Sequence, residues 1–315
     1  MSTSRRTFVK DLMIGGMMAP YLLSPLDIMG QSPMQDKLEV HLFSKHLQFL
    51  GYRAVAEKAA ELGFAGLDLT VRPNGHVQPE RVETDLPRAL AEIHAGGSSC
   101  KMITTAVESI DRESDRNLLK VAGELGITFY RSNWVKYLDG KSMPDSLAYW
   151  QTEVQKLAAF NQGHGLVGCY QNHAGTKIGA SYWEVYQLLQ TADPQFFGAQ
   201  YDIRHAMVEG GLSWQNGFQL LLPHLKTLVL KDFVWGRFNG KWKVVNVPIG
   251  EGMVDFDAYF KLLKTHQIQV PVSLHLEYPL GGAEKGHSDL TVAPEVVYQA
   301  MSRDLKTVQR LWQKA

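Results

Sequence analysis

Short apolar runs of strand length recur along the chain, separated by longer segments in which apolar residues return every three or four positions. The runs cover 38–43, 65–71, 101–107, 128–131, 166–171, 198–202, 227–231 and 272–277. Between them, 52–62 places Val55, Ala59 and Leu62 on one helical face, and 118–125, 183–189 and 259–263 have the same spacing. Strand and helix alternating through eight such runs predict an α/β chain, a single-domain (β/α)8 TIM barrel over 35–315. An open doubly wound sheet would carry a glycine-rich phosphate turn after its first strand. Here that place reads Ser44-Lys45-His46-Leu47, so no nucleotide cofactor is expected. One longer insertion, 237–245, sets Asn239-Gly240 between two short runs and predicts a hairpin grafted onto the barrel mouth.

The first 30 residues follow a different pattern. Arg5-Arg6 precede an apolar stretch from Leu12 to Leu26 and a polar exit at Gln31-Ser32-Pro33, the layout of a twin-arginine export signal with cleavage near residue 30. An amphipathic helix is the plainer alternative, but Gly15-Gly16 and Pro20 weaken it. The stretch is shorter and more interrupted than the about 20 apolar residues of a membrane span, so no stable span is expected once the signal is removed. The expected location is periplasmic or secreted.

Composition narrows the partners. There are 32 basic and 32 acidic residues and no long basic run after Lys10, which argues against nucleic acid. The two cysteines, Cys100 and Cys169, lie in apolar strand-like contexts and are expected as buried free thiols.

In a barrel of this kind the chemistry gathers where the strands end at their C-termini, since all eight following loops converge there. Those ends carry Asp68, Thr70, Arg72 and His76; Glu108; Arg131 and Asn133; Gln171, Asn172 and His173; Asp202 and His205; Lys231 and Asp232; His275 and Glu277. Alternation sets Gln171 with His173, Val229 with Lys231, and His275 with Glu277 on shared faces, and predicts Asp202 and Glu277 close together across the mouth. Each residue alone has a structural reading: His173 as a loop cap, Lys231-Asp232 as a solvated pair, His275 as a satisfied core histidine. Polar groups at every strand end from the second to the eighth point instead to a site.

Five segments in order give the chain a family resemblance: Gly63-Phe64-Ala65-Gly66-Leu67-Asp68-Leu69, Gln171-Asn172-His173-Ala174-Gly175, Asp202-Ile203-Arg204-His205-Ala206, Leu230-Lys231-Asp232, and Pro248-Ile249-Gly250-Glu251-Gly252-Met253-Val254-Asp255. With these it resembles the sugar phosphate isomerase/epimerase family, the xylose isomerase-like TIM barrels. That resemblance implies a divalent metal such as manganese, zinc or cobalt, held by glutamate, aspartate, histidine and glutamate from the fifth to eighth strands. The match is half complete: Asp202 and Glu277 occupy the second and fourth positions, whereas Gln171 and Val229 stand where the first glutamate and the histidine belong. Two arrangements stay open. One is a metal site of Asp202, Glu277, Gln171 and His205, with His275 as another imidazole in reach; the other is a metal-free site in which the Lys231 ammonium takes over part of the metal's charge.

The expected function is a sugar isomerase or epimerase acting on a free, keto- or glycosidic sugar by proton abstraction next to a carbonyl, with elimination as a related outcome. Export disfavours a sugar phosphate, and the even charge balance shows no anion funnel. Glu277 is the expected base or ligand, His173 and His205 bind or move protons, and Lys231 stabilises oxyanion charge. Arg72, Asn172, Trp235 and His275 are the expected substrate contacts. Two other classes remain: a Schiff-base lyase using Lys231, and a non-catalytic sugar-binding protein with Trp134, Trp235 and Trp242 as stacking surfaces. The export reading has a direct test. Replacing Arg5 and Arg6 with lysine should hold the precursor inside the cell, and normal periplasmic levels of that double variant would refute it.

Overall fold

The eight apolar runs form parallel strands that close on one another in a barrel. The computed structural model describes residues 37–315, so the segment 1–30 read as an export signal lies outside the described residues. Along the chain come β1 (Val40–Phe43), α1 (Tyr52–Leu62), β2 (Gly66–Val71), α2 (Val82–Ala95), β3 (Met102–Thr105), α3 (Glu113–Glu124), β4 (Phe129–Arg131), α4 (Met143–His164), β5 (Val167–Gln171), α5 (Tyr182–Leu189) and β6 (Phe197–Asp202). The second half adds α6 (Ile203–Gly210), α7 (Trp214–Leu221), β7 (Leu225–Leu230), β8 (Asp232–Phe238), β9 (Lys241–Val247), α8 (Phe256–Thr265), β10 (Val272–Leu274) and α9 (Pro294–Lys314).

Around the barrel the order is β1-β10-β7-β6-β5-β4-β3-β2. Strands such as β1, β2 and β6 are buried at every position, because helices cover the outside and side chains fill the inside; their sequences therefore read as runs and not as alternations. Closure leaves no free edge. Helix α1 buries Val55, Ala56 and Ala59 and is stopped by Gly63, whose φ of 85° lets its N–H reach the carbonyls of Ala59 and Ala60. No described helix is long and apolar enough to cross a membrane. Both cysteines are free thiols, Cys169 buried and Cys100 partly so, and burial pushes each up to about 12.

Several strands stop earlier than their apolar runs. β3 ends at Thr105, β7 at Leu230 and β10 at Leu274, so Lys231, His275 and Glu277 are released from the ladder and turn with the loops. The hairpin is longer than the sequence suggests. It begins at Asp232, directly after Lys231, and pairs Asp232 with Val247 through to Phe238 with Lys241. Asn239 and Gly240 have φ of 48° and 77°, both positive, as a two-residue hairpin turn of matching twist requires.

The Pro248–Asp255 segment is a structural loop folded around one carboxylate. Asp232 accepts N–H groups from Phe233, Gly250, Gly252 and Val254, at 2.8 to 3.1 Å. A Cβ at Gly252 would collide with that carboxylate, which is why glycine stands there. Asp68 does similar work inside the barrel. It accepts from Thr104 Oγ1 at 3.0 Å and Ser273 Oγ at 2.7 Å, forming a buried polar floor beneath the mouth.

His46, in the turn after β1, is fully buried: Nδ1 lies 3.3 Å from the Ala283 carbonyl and Nε2 accepts the Leu276 N–H at 3.0 Å. Burial first, then the Lys45 ammonium, push it from 6.5 to about 3. A histidine held neutral in the fold but protonated when unfolded supports stability above pH 6.5 that is lost as pH falls towards 3. Acidification from pH 7 to 5 should therefore cost about 2 kcal/mol at this residue alone. Urea titrations should show a shallower pH slope for His46→Gln than for the wild type; equal slopes would contradict the assignment.

Candidate active site

A cavity of about 560 Å³ opens where the strands end. Of the residues expected to carry function, Glu277, Lys231, His173, His205, Arg72, Trp235, His275 and Gln171 line it, while Asp202 and Asn172 are buried just behind its wall.

The centre of the wall is an ion pair. Lys231 Nζ donates to Asp202 Oδ2 at 3.1 Å, with both side chains almost fully buried. Gln171 Nε2 donates to the same oxygen at 2.7 Å, and the His205 backbone N–H donates to Oδ1 at 3.1 Å, so Asp202 also caps α6. His205 Nε2 lies 2.9 Å from Lys231 Nζ, while Nδ1 accepts the Ala174 N–H at 3.1 Å and faces Arg204 Nη1 at 2.9 Å. A neutral ring has one acceptor nitrogen, and Nδ1, facing the Ala174 N–H and Arg204, takes that role. Burial, reinforced by Lys231, His173 and Arg204, pushes the imidazole well below its ordinary range. His205 packs directly against Lys231, its Nε2 at 2.9 Å from Nζ.

Asn172 was expected to touch substrate. Both ends of its amide are instead spent on the Asp202 backbone, Nδ2 on the carbonyl at 2.9 Å and Oδ1 on the N–H at 2.8 Å. It positions Asp202.

Glu277 is the other acid, and it does not pair with Asp202 across the mouth. It accepts from Lys45 Nζ at 3.0 Å, and His275 Nδ1 lies 3.7 Å from the same oxygen. Lys231 stands in between in charge terms. Burial pushes Glu277 up, but His275 and the ammoniums of Lys231 and Lys45 outweigh it and hold the carboxyl well below its usual range. His275 stacks on Phe43 at 4.1 Å and contacts Ser273 Oγ at 3.1 Å. His173 lies between Trp134 and His205, at 4.2 and 4.0 Å between ring centres, and burial with Lys231 brings it down to about 3. Glu277, after β10, and His173, after β5, therefore flank the Lys231–Asp202 pair around the rim.

The hairpin forms the outer wall. Trp235 and Val244 are cross-strand partners facing the cavity, and Asn246 ties the hairpin down by accepting from Arg204 Nη2 at 2.6 Å and donating to the Glu277 carbonyl at 3.2 Å. Trp242, farther out on the hairpin, is 65% exposed. Lys45, Arg204 and Asn246 carry no role in the sequence reading. The strand-end rule reaches Lys45, which follows β1 directly, but Asn246 is brought in by a hairpin whose length is decided by pairing. His76, Glu108 and Asn133 stay outside the cavity. His76 bonds Thr70, and Glu108 accepts from Asn133 and Arg112.

A divalent cation does not fit this arrangement. Gln171 turns its amide nitrogen to Asp202 and its oxygen towards Arg131, Val229 has no donor, and the Lys231 ammonium lies against both Asp202 and His205. A dication there would meet an ammonium and a nearby guanidinium at close range. Among the described residues no group of three or more histidine, cysteine, aspartate or glutamate side chains is arranged to hold a metal.

Residues 56–292 match the family model described as xylose isomerase-like TIM barrel. No curated protein matches the chain in sequence. Solved structures share its fold at low identity. D-psicose 3-epimerase with D-tagatose from Clostridium cellulolyticum H10 is 14% identical, with a TM-score of 0.65 over 88% of this chain and 100% of that one. The apo 3-keto-D-glucoside 4-epimerase from E. coli is 12% identical, with a TM-score of 0.63 over 86% and 100%. A xylose isomerase-like barrel from Mycobacterium smegmatis, solved in complex with magnesium, is 14% identical, with a TM-score of 0.59 over 87% and 98%.

The buried pair makes a stability prediction. Asp202→Asn leaves the Lys231 ammonium without its counter-charge and should cost about 3 kcal/mol. Adding Lys231→Met to that variant should recover most of the loss in denaturant titrations. Losses that simply add would mean the two groups are not coupled.

Proposed function

The chain belongs to the xylose isomerase-like TIM barrel family, and from that premise we propose that it is a sugar isomerase or epimerase working by proton abstraction next to a carbonyl. The observation that carries the proposal is the placement of Lys231, paired with Asp202, packed against His205 and flanked on the rim by two unprotonated bases, Glu277 and His173. The names of similar folds, a D-psicose 3-epimerase and a 3-keto-D-glucoside 4-epimerase, support a sugar ketone or keto-glycoside as substrate class.

The chemistry follows from charge. A base on one side takes the proton from the carbon beside the carbonyl, and the electron pair moves onto the carbonyl oxygen. Lys231 supplies positive charge to that enediolate oxygen, pre-aimed so that little reorganisation is needed as charge develops. Return of a proton from the opposite side of the rim inverts the centre, and return to the neighbouring carbon isomerises. Lys45, paired with Glu277, restrains the base until substrate competes for the ammonium. The hairpin with Trp235 and Val244 screens the mouth from water. Nothing in this sequence of steps passes through a metal.

A second reading is favoured by one contact. The His205 imidazole at 2.9 Å from Lys231 Nζ is placed to exchange a proton with it, which a Schiff-base lyase would use. Borohydride trapping with a carbonyl substrate separates the two.

Lys231→Met should lower turnover by about 100-fold or more while leaving sugar binding nearly intact, since a charge aimed at the forming oxyanion is felt most in the transition state. Glu277→Gln should lower turnover on a similar scale. Chelators should leave the rate unchanged. Because Glu277 and His173, the latter at about 3, are already deprotonated at neutral pH, kcat/KM should stay level from pH 7 to 5 and fall only in more acid solution. The readout is deuterium exchange at the carbon beside the carbonyl, across keto-sugars and keto-glycosides. Chelator inactivation would return the site to a metal; absence of exchange with every sugar tried would leave a binding protein.

A further inference from the structure

The chain is neutral overall, yet its cavity is not. Lys45, Arg72, Arg131, Arg204 and Lys231 line it, against the carboxylates of Glu209 and Glu277. Two of these cations are satisfied by acids: Lys45 by Glu277 at 3.0 Å and Lys231 by Asp202 at 3.1 Å. Arg204 is committed to Asn246 and His205. Among the described residues no carboxylate lies within ion-pair distance of Arg72 or Arg131, although both feel the charges of Asp68 and Glu277.

Arg131 is the informative one. It ends β4, is 4% exposed, and its guanidinium carries five N–H donors. Among the described residues those donors find only two long contacts to neutral oxygens, Gln171 Oε1 at 3.4 Å and the Thr105 carbonyl at 3.3 Å, and Nε has no partner. One face is covered by Trp134, with the guanidinium 4.1 Å from the ring centre. Arg72 lies over the Phe43 ring at 5.7 Å. Asp68, whose charge both guanidiniums feel, is held in the floor by Thr104 and Ser273. Burial, and then repulsion from Arg72, push Arg131 down to about 9. Buried guanidinium donors left open at a cavity wall are costly unless something arrives to fill them.

Their position separates them from the reacting centre. β2 and β4 each stand three places from β7 around the barrel, so Arg72 and Arg131 lie across the mouth from Lys231. The stabilisation of a forming enediolate at Lys231 therefore leaves these two unused. We propose that Arg131 and Arg72 bind a negatively charged oxygen group that the substrate already carries, the carboxylate of a sugar acid, at the end of the molecule remote from its carbonyl. This rests on the reading of the cavity as a sugar site. A planar carboxylate suits paired guanidinium forks; a phosphate on the sugar offers the same oxyanion chemistry, and the test distinguishes them.

Calorimetric titration of the whole protein with glucuronate, glucose, glucose 6-phosphate and inorganic phosphate decides the matter without requiring turnover. Glucuronate should bind at least about tenfold more tightly than glucose, and the advantage should shrink as salt is raised. Removal of Arg131 from the buried wall risks the fold, so Arg72→Gln, at a half-buried position, carries the comparison; it should bring glucuronate close to glucose, with the loss in glucuronate affinity far exceeding any loss in glucose affinity. Glucose 6-phosphate binding far more tightly than glucuronate, with the same dependence on Arg72, would keep the oxyanion site and assign it to phosphate. Inorganic phosphate binding as tightly as glucuronate would keep the oxyanion site and remove the sugar reading. Equal affinity for glucuronate and glucose, an advantage that survives Arg72→Gln, or no binding of any anion would overturn the proposal.

Discussion

The buried pair of Lys231 and Asp202 is the contact around which the mouth of this barrel is organised. A charge taken out of water is stable only with its partner in place and its remaining lone pairs and protons satisfied. That requirement accounts for the neighbours: Gln171 and the His205 N–H complete the carboxylate, the His205 ring closes on the ammonium, and Asn172 clamps the Asp202 backbone. The loops after β5, β6 and β7 are thereby tied into one unit. An ammonium held in this way is a fixed charge at a place where the family resemblance implies a metal.

The rest of the fold keeps that unit rigid and covered. Asp232, directly after Lys231, gathers four backbone N–H groups from its own neighbour and from the loop beyond the hairpin. The residue that supplies charge to the cavity is therefore followed at once by one that anchors the chain. The hairpin that starts there reaches back through Asn246 to Arg204 and to the Glu277 carbonyl. Pocket wall, lid and anchor come from one continuous stretch, which couples the placement of Lys231 to the shape of the mouth.

Electrostatics sets the character of the site. His173, His205 and His275 are each driven to the neutral state, by burial first and by surrounding cations second. Glu277 is driven the other way, into its ionised form. A cavity rich in cations thus keeps its bases unprotonated and favours any negative charge that arrives with the substrate or develops during reaction. In the proposed proton abstraction, the same field would lower the cost of an enediolate and weaken the bases that form it, so geometry, more than basicity, would have to do the work.

The fold was legible in the sequence because a parallel barrel repeats one local pattern, and local pattern is what a sequence displays. All eight strands, the hairpin turn at Asn239-Gly240 and the strand-end rule that brought Gln171, His173, Lys231 and Glu277 to one mouth came from spacing alone. What spacing could not decide was partnership. Asp202 and Glu277 each chose a different lysine, Asn172 turned to the backbone, and His76 and Glu108 fell outside the cavity, since each depends on what distant segments present at the same place. Charge shows the limit most plainly. A count of 32 basic and 32 acidic residues is blind to position, and only the closed barrel gathers five cations around one cavity and leaves Arg131 Nε, among the described residues, without a hydrogen-bond partner.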